Sequence, residues 1–210
     1  MRVSTEKVSP GPLRALRGLL REWTWLNREI ARTWGWEDCP WWCNERASIS
    51  TLAGAVWNSR GIALEEYASR KRKVRGEALG RCDLYFKIGK TGFVAEAKHC
   101  WLRAGIRAEN LQARVSRCLS RACRDARKNS PSLNKDEILL GIAFIVPRIP
   151  RSDVDHVGKR IVDVQNVLEI FAKKKQCAIA WIFPRNSRKL MVAEDDCIYP
   201  GIAVLIQRVR

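Results

Sequence analysis

Two acids and a lysine fall where a β-sheet is expected. In GRCDLYFKIGKTGFVAEAKHC, residues 80–100, Asp83 lies in one alternating run, Glu96 and Lys98 lie in the next, and a turn with Gly89 and Gly92 joins them. Alternate residues of a strand share a face, so Glu96 and Lys98 project together while Ala95 and Ala97 point the other way. Pairing of 81–88 with 92–98 across the turn brings Asp83 beside them. Two carboxylates about 4 Å apart repel by about 4 kcal/mol at an effective dielectric of 20, so a shared proton, a cation or a metal must offset the repulsion. Lys98 is one such cation. Oxygen ligands converging from two strands also suit Mg²⁺, which takes one or two carboxylates, waters and phosphate oxygens. The plainer alternative is a cross-strand salt bridge on a solvated face. The small and apolar neighbours of Glu96 weigh against it, because unpaired charge is costly in such surroundings.

The elements around these residues follow from periodicity. Residues 1–12 read as a mobile leader, and 13–210 as one domain in which 13–43 is an N-terminal helical elaboration. Apolar residues at Leu16, Leu20, Trp23, Ile30 and Trp34 mark a first amphipathic helix over 13–34. WGWEDCPWWC follows as a packed corner or an aromatic patch. Asn44 is an N-cap for the small-residue helix ERASISTLAGAVWNS, which Gly61 stops. IALEEYAS, RCDLYFKI and GFVAEAKH then alternate as three strands, with RKRKVRGEALG between the first two as a solvated hairpin loop. From Ala104 to Lys128 the pattern is helical. Leu111, Val115, Cys118, Leu119, Ala122 and Ala126 share one arc, and Arg107, Arg114, Arg117, Arg121, Arg124 and Lys128 share another. ILLGIAFIVP reads as a buried strand, 154–175 as a helix, and CAIAWIFP and GIAVLIQRV as two more strands.

The order helix, three-strand meander, helix, strand, with Asp83 on the second strand and Glu96-Ala97-Lys98 on the third, resembles the PD-(D/E)xK nuclease superfamily over residues 44–147. The fold class this implies is α/β, a restriction-endonuclease-like core with an extra N-terminal helix and a C-terminal helix and strands. Cys82 stands where the namesake motif has proline. The resemblance implies that Asp83, Glu96 and the carbonyl of Ala97 hold Mg²⁺, with Mn²⁺ able to substitute. It further implies that Lys98 orients or helps deprotonate the attacking water and stabilises transition-state charge. The superfamily often supplies an acid from the helix before the sheet, for which Glu45 is the candidate; the same residue in a first helical turn also favours the helix dipole. Some branches use a glutamine after the motif, for which Gln112 is the candidate beside an ordinary role as a boundary residue. Glu65 and Glu66 on the first strand stay in reserve, as acids near the site or as arginine partners.

Charge points the same way. Lys and Arg number 39 against 22 acids, a net +17, which favours a polyanionic partner. DNA is the expected one, as duplex, junction or single strand. Six cations crowded on one helix flank repel one another, and phosphates relieve that repulsion without reading sequence. No run of 18 apolar residues predicts a membrane span, no secretory pattern opens the chain, and a cytoplasmic location with eight free thiols is expected. Structural zinc is a weaker alternative: Cys39 and Cys43 lie i, i+4 and His99-Cys100 ends a strand, but the tighter C-x2-C pairs usual in such sites do not occur. The helix 13–34 is open to two uses, packing on its own core or pairing in a homodimer. The expected function is a Mg²⁺-dependent endo- or exodeoxyribonuclease, and the alternative is an inactive nuclease-fold module that binds nucleic acid within a larger complex.

Overall fold

Ile62–Arg72 (β2), Glu77–Ile88 (β3) and Thr91–Arg103 (β4) form the antiparallel meander that the alternating runs predict. The computed structural model describes residues 4–8, 11–73, 76–173, 177–189, 191–192 and 195–209. Before the meander come Ser4–Val8 (β1), Leu16–Thr33 (α1) and Glu45–Asn58 (α2). After it come Ala108–Arg127 (α3), Glu137–Pro150 (β5), Val157–Ala172 (α4), Cys177–Ile182 (β6), Met191–Val192 (β7), Cys197–Ile198 (β8) and Ile202–Arg208 (β9). The sheet runs β1-β6-β9-β5-β4-β3-β2, with the short β8 pairing β5 and β7. Its described pairings are antiparallel except for β4 with β5, which the α3 crossover brings side by side in parallel.

The protein is therefore mixed α/β, with one mostly antiparallel sheet covered on both faces. Leu84, Phe86, Phe93, Ala95, Ala97 and Phe144 pack under α1 and α2, with Trp23 and Trp41 fully buried among them. Ala143, Ile145, Ile179 and Leu205 pack on the opposite face under α3 and α4, against Leu111, Val115, Leu119, Ile161 and Leu168. β5 and β6 are apolar on both sides because helices cover both sides. Gly141 lets α3 lie close on β5: a Cβ there would sit 2.5 Å from Cys123 Sγ and 2.6 Å from Cys123 N. Gly141 pairs with Glu96 in the β4–β5 ladder, so this close approach occurs beside that acid.

Several expectations need correction. Residues 4–8 of the supposed leader form β1 and pair with β6. The supposed loop 70–80 is mostly strand, since β2 continues to Arg72 and β3 begins at Glu77. A run of basic residues hid the alternation there. The helix expected from 154 is preceded by a 3₁₀ turn over Arg151–His156, and α4 starts at Val157. The WGWEDCPWWC corner is divided: Trp41 is core and donates to the Tyr199 carbonyl at 2.8 Å, whereas Trp34 is 46% exposed. All eight cysteines are free thiols. Among the described residues no helix is long and apolar enough to cross a membrane.

Candidate functional site

The β3–β4 ladder is regular from Ile88↔Thr91 to Leu84↔Ala95 and then splits. At the next position Asp83 faces Glu96, and the Asp83 carboxylate fills the gap by accepting the Ala97 amide at 2.8 Å. Cys82 Sγ lies 3.3 Å from the Ala95 carbonyl, and burial pushes its thiol up to about 11. The split leaves polar backbone between two strands, and Asp83 satisfies the Ala97 amide there.

Glu96 and Lys98 share the α3 face, as alternation predicts. Glu96 is 3% exposed, and its Oε1 accepts from Lys71 Nζ at 2.7 Å and from Asn129 Nδ2 at 2.8 Å. Burial raises the Glu96 carboxyl above the ordinary range and the neighbouring Asp83 charge adds to this, while the bonds from Lys71 and Asn129 pull it down. Lys98 Nζ donates to the Ala97 carbonyl at 2.8 Å and pairs with Asp125 at 3.4 Å. Burial pushes Asp125 up, but Lys128 and Lys98 outweigh it and hold the carboxyl below its usual value.

Lys71 reaches Glu96 because β2 changes phase. Glu66 has φ 52°, in the left-handed region, opposite the split at Asp83. Before it, Ala63 and Glu65 face α2, with Ser50 Oγ donating to Glu65 at 2.9 Å. After it, Tyr67 packs edge-on against Tyr85, Ser69 donates to Asn129 Oδ1 at 2.9 Å, and Lys71 meets Glu96. Simple alternation through IALEEYAS misses this switch, and reading 70–80 as a solvated loop hides Lys71.

The other candidates divide. Glu45 is the first residue of α2, just after the predicted N-cap Asn44, which accepts from Ala47 N at 3.0 Å. Its carboxylate crosses to β4 and accepts the His99 amide at 2.7 Å, two residues beyond the Ala97 amide that Asp83 takes, so Glu45 is brought to the same open edge of β4. The His99 ring packs tilted against Trp101 and lies 3.4 Å from Ser48 Oγ, and burial lowers its pKa to about 4. Gln112 sits near the start of α3, thirteen residues and about 20 Å of helix axis before Asp125 and six residues before Cys118, whose Sγ lies 3.7 Å from the Lys98 carbonyl. Glu66 pairs with Arg46 at 3.6 Å and Arg81 at 3.2 Å, the arginine-partner role. Arg107, Arg114, Arg117, Arg121, Arg124 and Lys128 are all exposed along α3, as the helical arc predicts. Sequence reasoning overlooked Asn129, a fully buried polar residue just past the helix, and saw Asp125 only as the margin of the basic stripe.

Two clefts flank the split. One, of about 1070 Å³, is lined by Lys71, Arg72, Lys73, Glu96, Asp125, Arg127 and Lys128. The other, of about 250 Å³, is lined by Arg46, Ile49, Ser50, Glu65, Glu66, Arg81 and Asp83. Asp83, Glu96 and the Ala97 carbonyl are oxygen donors of the type a divalent cation takes, and two carboxylates suffice for Mg²⁺ with its waters. In this arrangement each donor already has a partner: the Ala97 amide on Asp83, Lys71 and Asn129 on Glu96, and Lys98 on the Ala97 carbonyl. Among the described residues no group of three or more His, Cys, Asp or Glu side chains converges as a metal cage, which also removes support for the cysteine-based zinc alternative. Comparison with protein-family models, with curated proteins and with solved structures finds no match in any of the three.

Proposed function

We propose that this protein is a divalent-metal-dependent nuclease of the PD-(D/E)xK type that hydrolyses DNA phosphodiester bonds, with Mg²⁺ as cofactor and Mn²⁺ as substitute. The observation that carries the reading is the apposition, at one split in the sheet, of Asp83 and Glu96 with Lys98 bonded to the Ala97 carbonyl, at the edge of a cationic cleft. The order α2, β2-β3-β4 meander, α3, parallel β5 around the split supports it.

Asp83, Glu96 and the Ala97 carbonyl would hold the cation, which supplies charge neutralisation at the reacting phosphate and a more acidic water. Lys98 has its ammonium fixed by Ala97 O and Asp125, so its remaining donor can orient the attacking water or meet the negative charge that builds on the phosphate. Asp125 positions Lys98 rather than touching substrate. Lys71, Arg72, Lys73, Arg127 and Lys128 give the sugar-phosphate backbone a counter-charged path to the acids, and Lys128 joins that path to the exposed stripe on α3.

One observation favours a second reading. Glu96 is already paired with Lys71 and Asn129 in a nearly dry environment, the arrangement expected if the nuclease scaffold has become a nucleic-acid-binding module. A cleavage panel separates the two: wild type and Lys98→Ala with single-stranded, duplex, flap, four-way-junction and RNA substrates, each with Mg²⁺, Mn²⁺ or EDTA. Metal-dependent cleavage that Lys98→Ala loses supports the nuclease. Binding without cleavage across the panel supports the module.

A further inference from the structure

The internal partners of the acids carry a further reading, which rests on the metal-site reading above and deepens it. Lys71 and Glu96 form a largely dehydrated ion pair, with side chains 19% and 5% exposed and an Nζ–Oε1 distance of 2.7 Å. Such a pair is not an incidental surface contact. It requires the left-handed residue Glu66 to turn β2 over, and Asn129, fully buried, to present its amide to the same carboxylate oxygen while its own oxygen accepts from Ser69. An ammonium at 2.7 Å from a carboxylate oxygen and a divalent cation on that oxygen exclude each other by charge and by space. Lys71 also lines the 1070 Å³ cleft, where the other lining cations are Arg72, Lys73, Arg127 and Lys128. Its flexible stem gives it a second destination in that cleft once an anion is present.

We infer that Lys71 is a displaceable counter-ion: it occupies Glu96 while the cleft is empty, and a phosphate of a bound polyanion draws it away and frees Glu96 for a divalent cation. The polyanion and the cation then bind cooperatively, each raising the affinity of the other by the same factor, because both oppose the same internal ion pair. Lys71 is a positioning residue in this scheme. Its consequence is that the acid site stays neutralised from within until a nucleic-acid backbone reaches it. Lys98 does not take this role, since its partners are the Ala97 carbonyl and Asp125 and neither belongs to Glu96.

The test is Mn²⁺ binding to the full chain, read from the electron paramagnetic resonance signal of free Mn²⁺, with and without a short phosphorothioate duplex that resists cleavage. Wild type should bind Mn²⁺ about tenfold more tightly with the duplex than without it. Lys71→Met should bind Mn²⁺ alone about as tightly as wild type does with duplex, and the duplex should then add little. Lys71→Arg, which keeps a charge for Glu96, should restore most of the coupling. Circular dichroism checks folding, and Lys71→Gln replaces the Met variant if that one does not fold. Equal Mn²⁺ affinity of wild type and Lys71→Met without duplex overturns the inference, as does coupling that survives Lys71→Met. Mn²⁺ binding that survives Glu96→Gln, or no binding by any variant, overturns both this inference and the metal-site reading. Coupled binding without cleavage in the substrate panel leaves the counter-ion role standing and removes the nuclease activity alone.

Discussion

The two clefts beside the split carry opposite balances of charge. The smaller sets Glu65, Glu66 and Asp83 against Arg46 and Arg81, three acids to two cations. The larger sets five cations against Glu96 and Asp125. Both border the same break in the β3–β4 ladder, yet the first is nearly neutralised from within while the second keeps a surplus of positive charge. An acid gains its character from the side of the sheet it faces. Asp83 is fixed by a backbone amide at the seam, whereas Glu96 is immersed among cations that a polyanion would otherwise engage. On the function proposed above, the larger cleft is the one that would take the nucleic-acid backbone, while in the smaller one Arg46–Glu66 and Ser50–Glu65 contacts brace α2 against the meander and Asp83 reaches the seam.

The sharpest way to break this contrast is to remove one residue from each side of the seam. Asp83→Asn and Lys98→Ala should each lower cleavage by at least about 100-fold, with DNA affinity in filter binding nearly unchanged. Near-normal turnover by either would remove the proposed chemistry. Gly141→Ala should cost about 2–3 kcal/mol in urea denaturation, because the added methyl meets Cys123 at contact distances real atoms do not reach. Its damage should fall on the larger cleft, since α3 carries Asp125 and Arg127, and an unaltered urea midpoint would show that α3 is not held so close. Replacing Arg72, Lys73 and Arg127 together by alanine should weaken binding to all sequences alike and flatten the salt dependence by roughly 0.9 per lost phosphate contact. Replacing Arg46 and Arg81 should leave the slope unchanged, and equal losses from both sets would erase the distinction between the clefts. Replacing Arg114, Arg117 and Arg121 tests in the same way how far along α3 the path extends.

The smallest effect belongs to a pair outside both clefts. Asp153 is lowered, chiefly by its hydrogen bonds from Arg160, the shorter at 2.6 Å. A carboxyl depressed in the folded state stabilises the protein above its unfolded value, about pH 4, and loses that contribution as pH falls through the lower folded value. Asp153→Asn should remove a contribution under about 1 kcal/mol from the acid limb of the stability curve, and leave cleavage and binding unaltered.

Local pattern made much of this legible. Period two located the meander, Asn44 marked the start of α2, and the two arcs of α3 separated its core from its arginines, because each rests on neighbours three or four positions away. The placement of Glu96 and Lys98 on one face needed only strand geometry. What escaped depended on distant pairing or on a single unusual torsion. Residues 4–8 become a strand because β6, with partners 170 to 178 positions later, offers an edge. Lys71 is invisible as a site residue until Glu66 is known to turn over, and Asn129 reads as a helix terminator until Ser69 and Glu96 converge on it. Gln112 rested on the family resemblance, and it lies near the start of α3, about 20 Å of helix axis from Asp125.

The split has one more consequence. Beyond Leu84, β3 no longer pairs with β4, so residues 77–82 and their β2 partners project as a two-stranded ribbon, a form that is marginal by itself in water. The ribbon is held at its far end by the end of α3: Arg72 N donates to the Lys128 carbonyl at 2.6 Å and Ser69 to Asn129 at 2.9 Å. Ribbon and helix end are therefore one cooperative unit, whose amides should exchange with solvent at a common rate, slower than an unanchored hairpin and faster than the central strands.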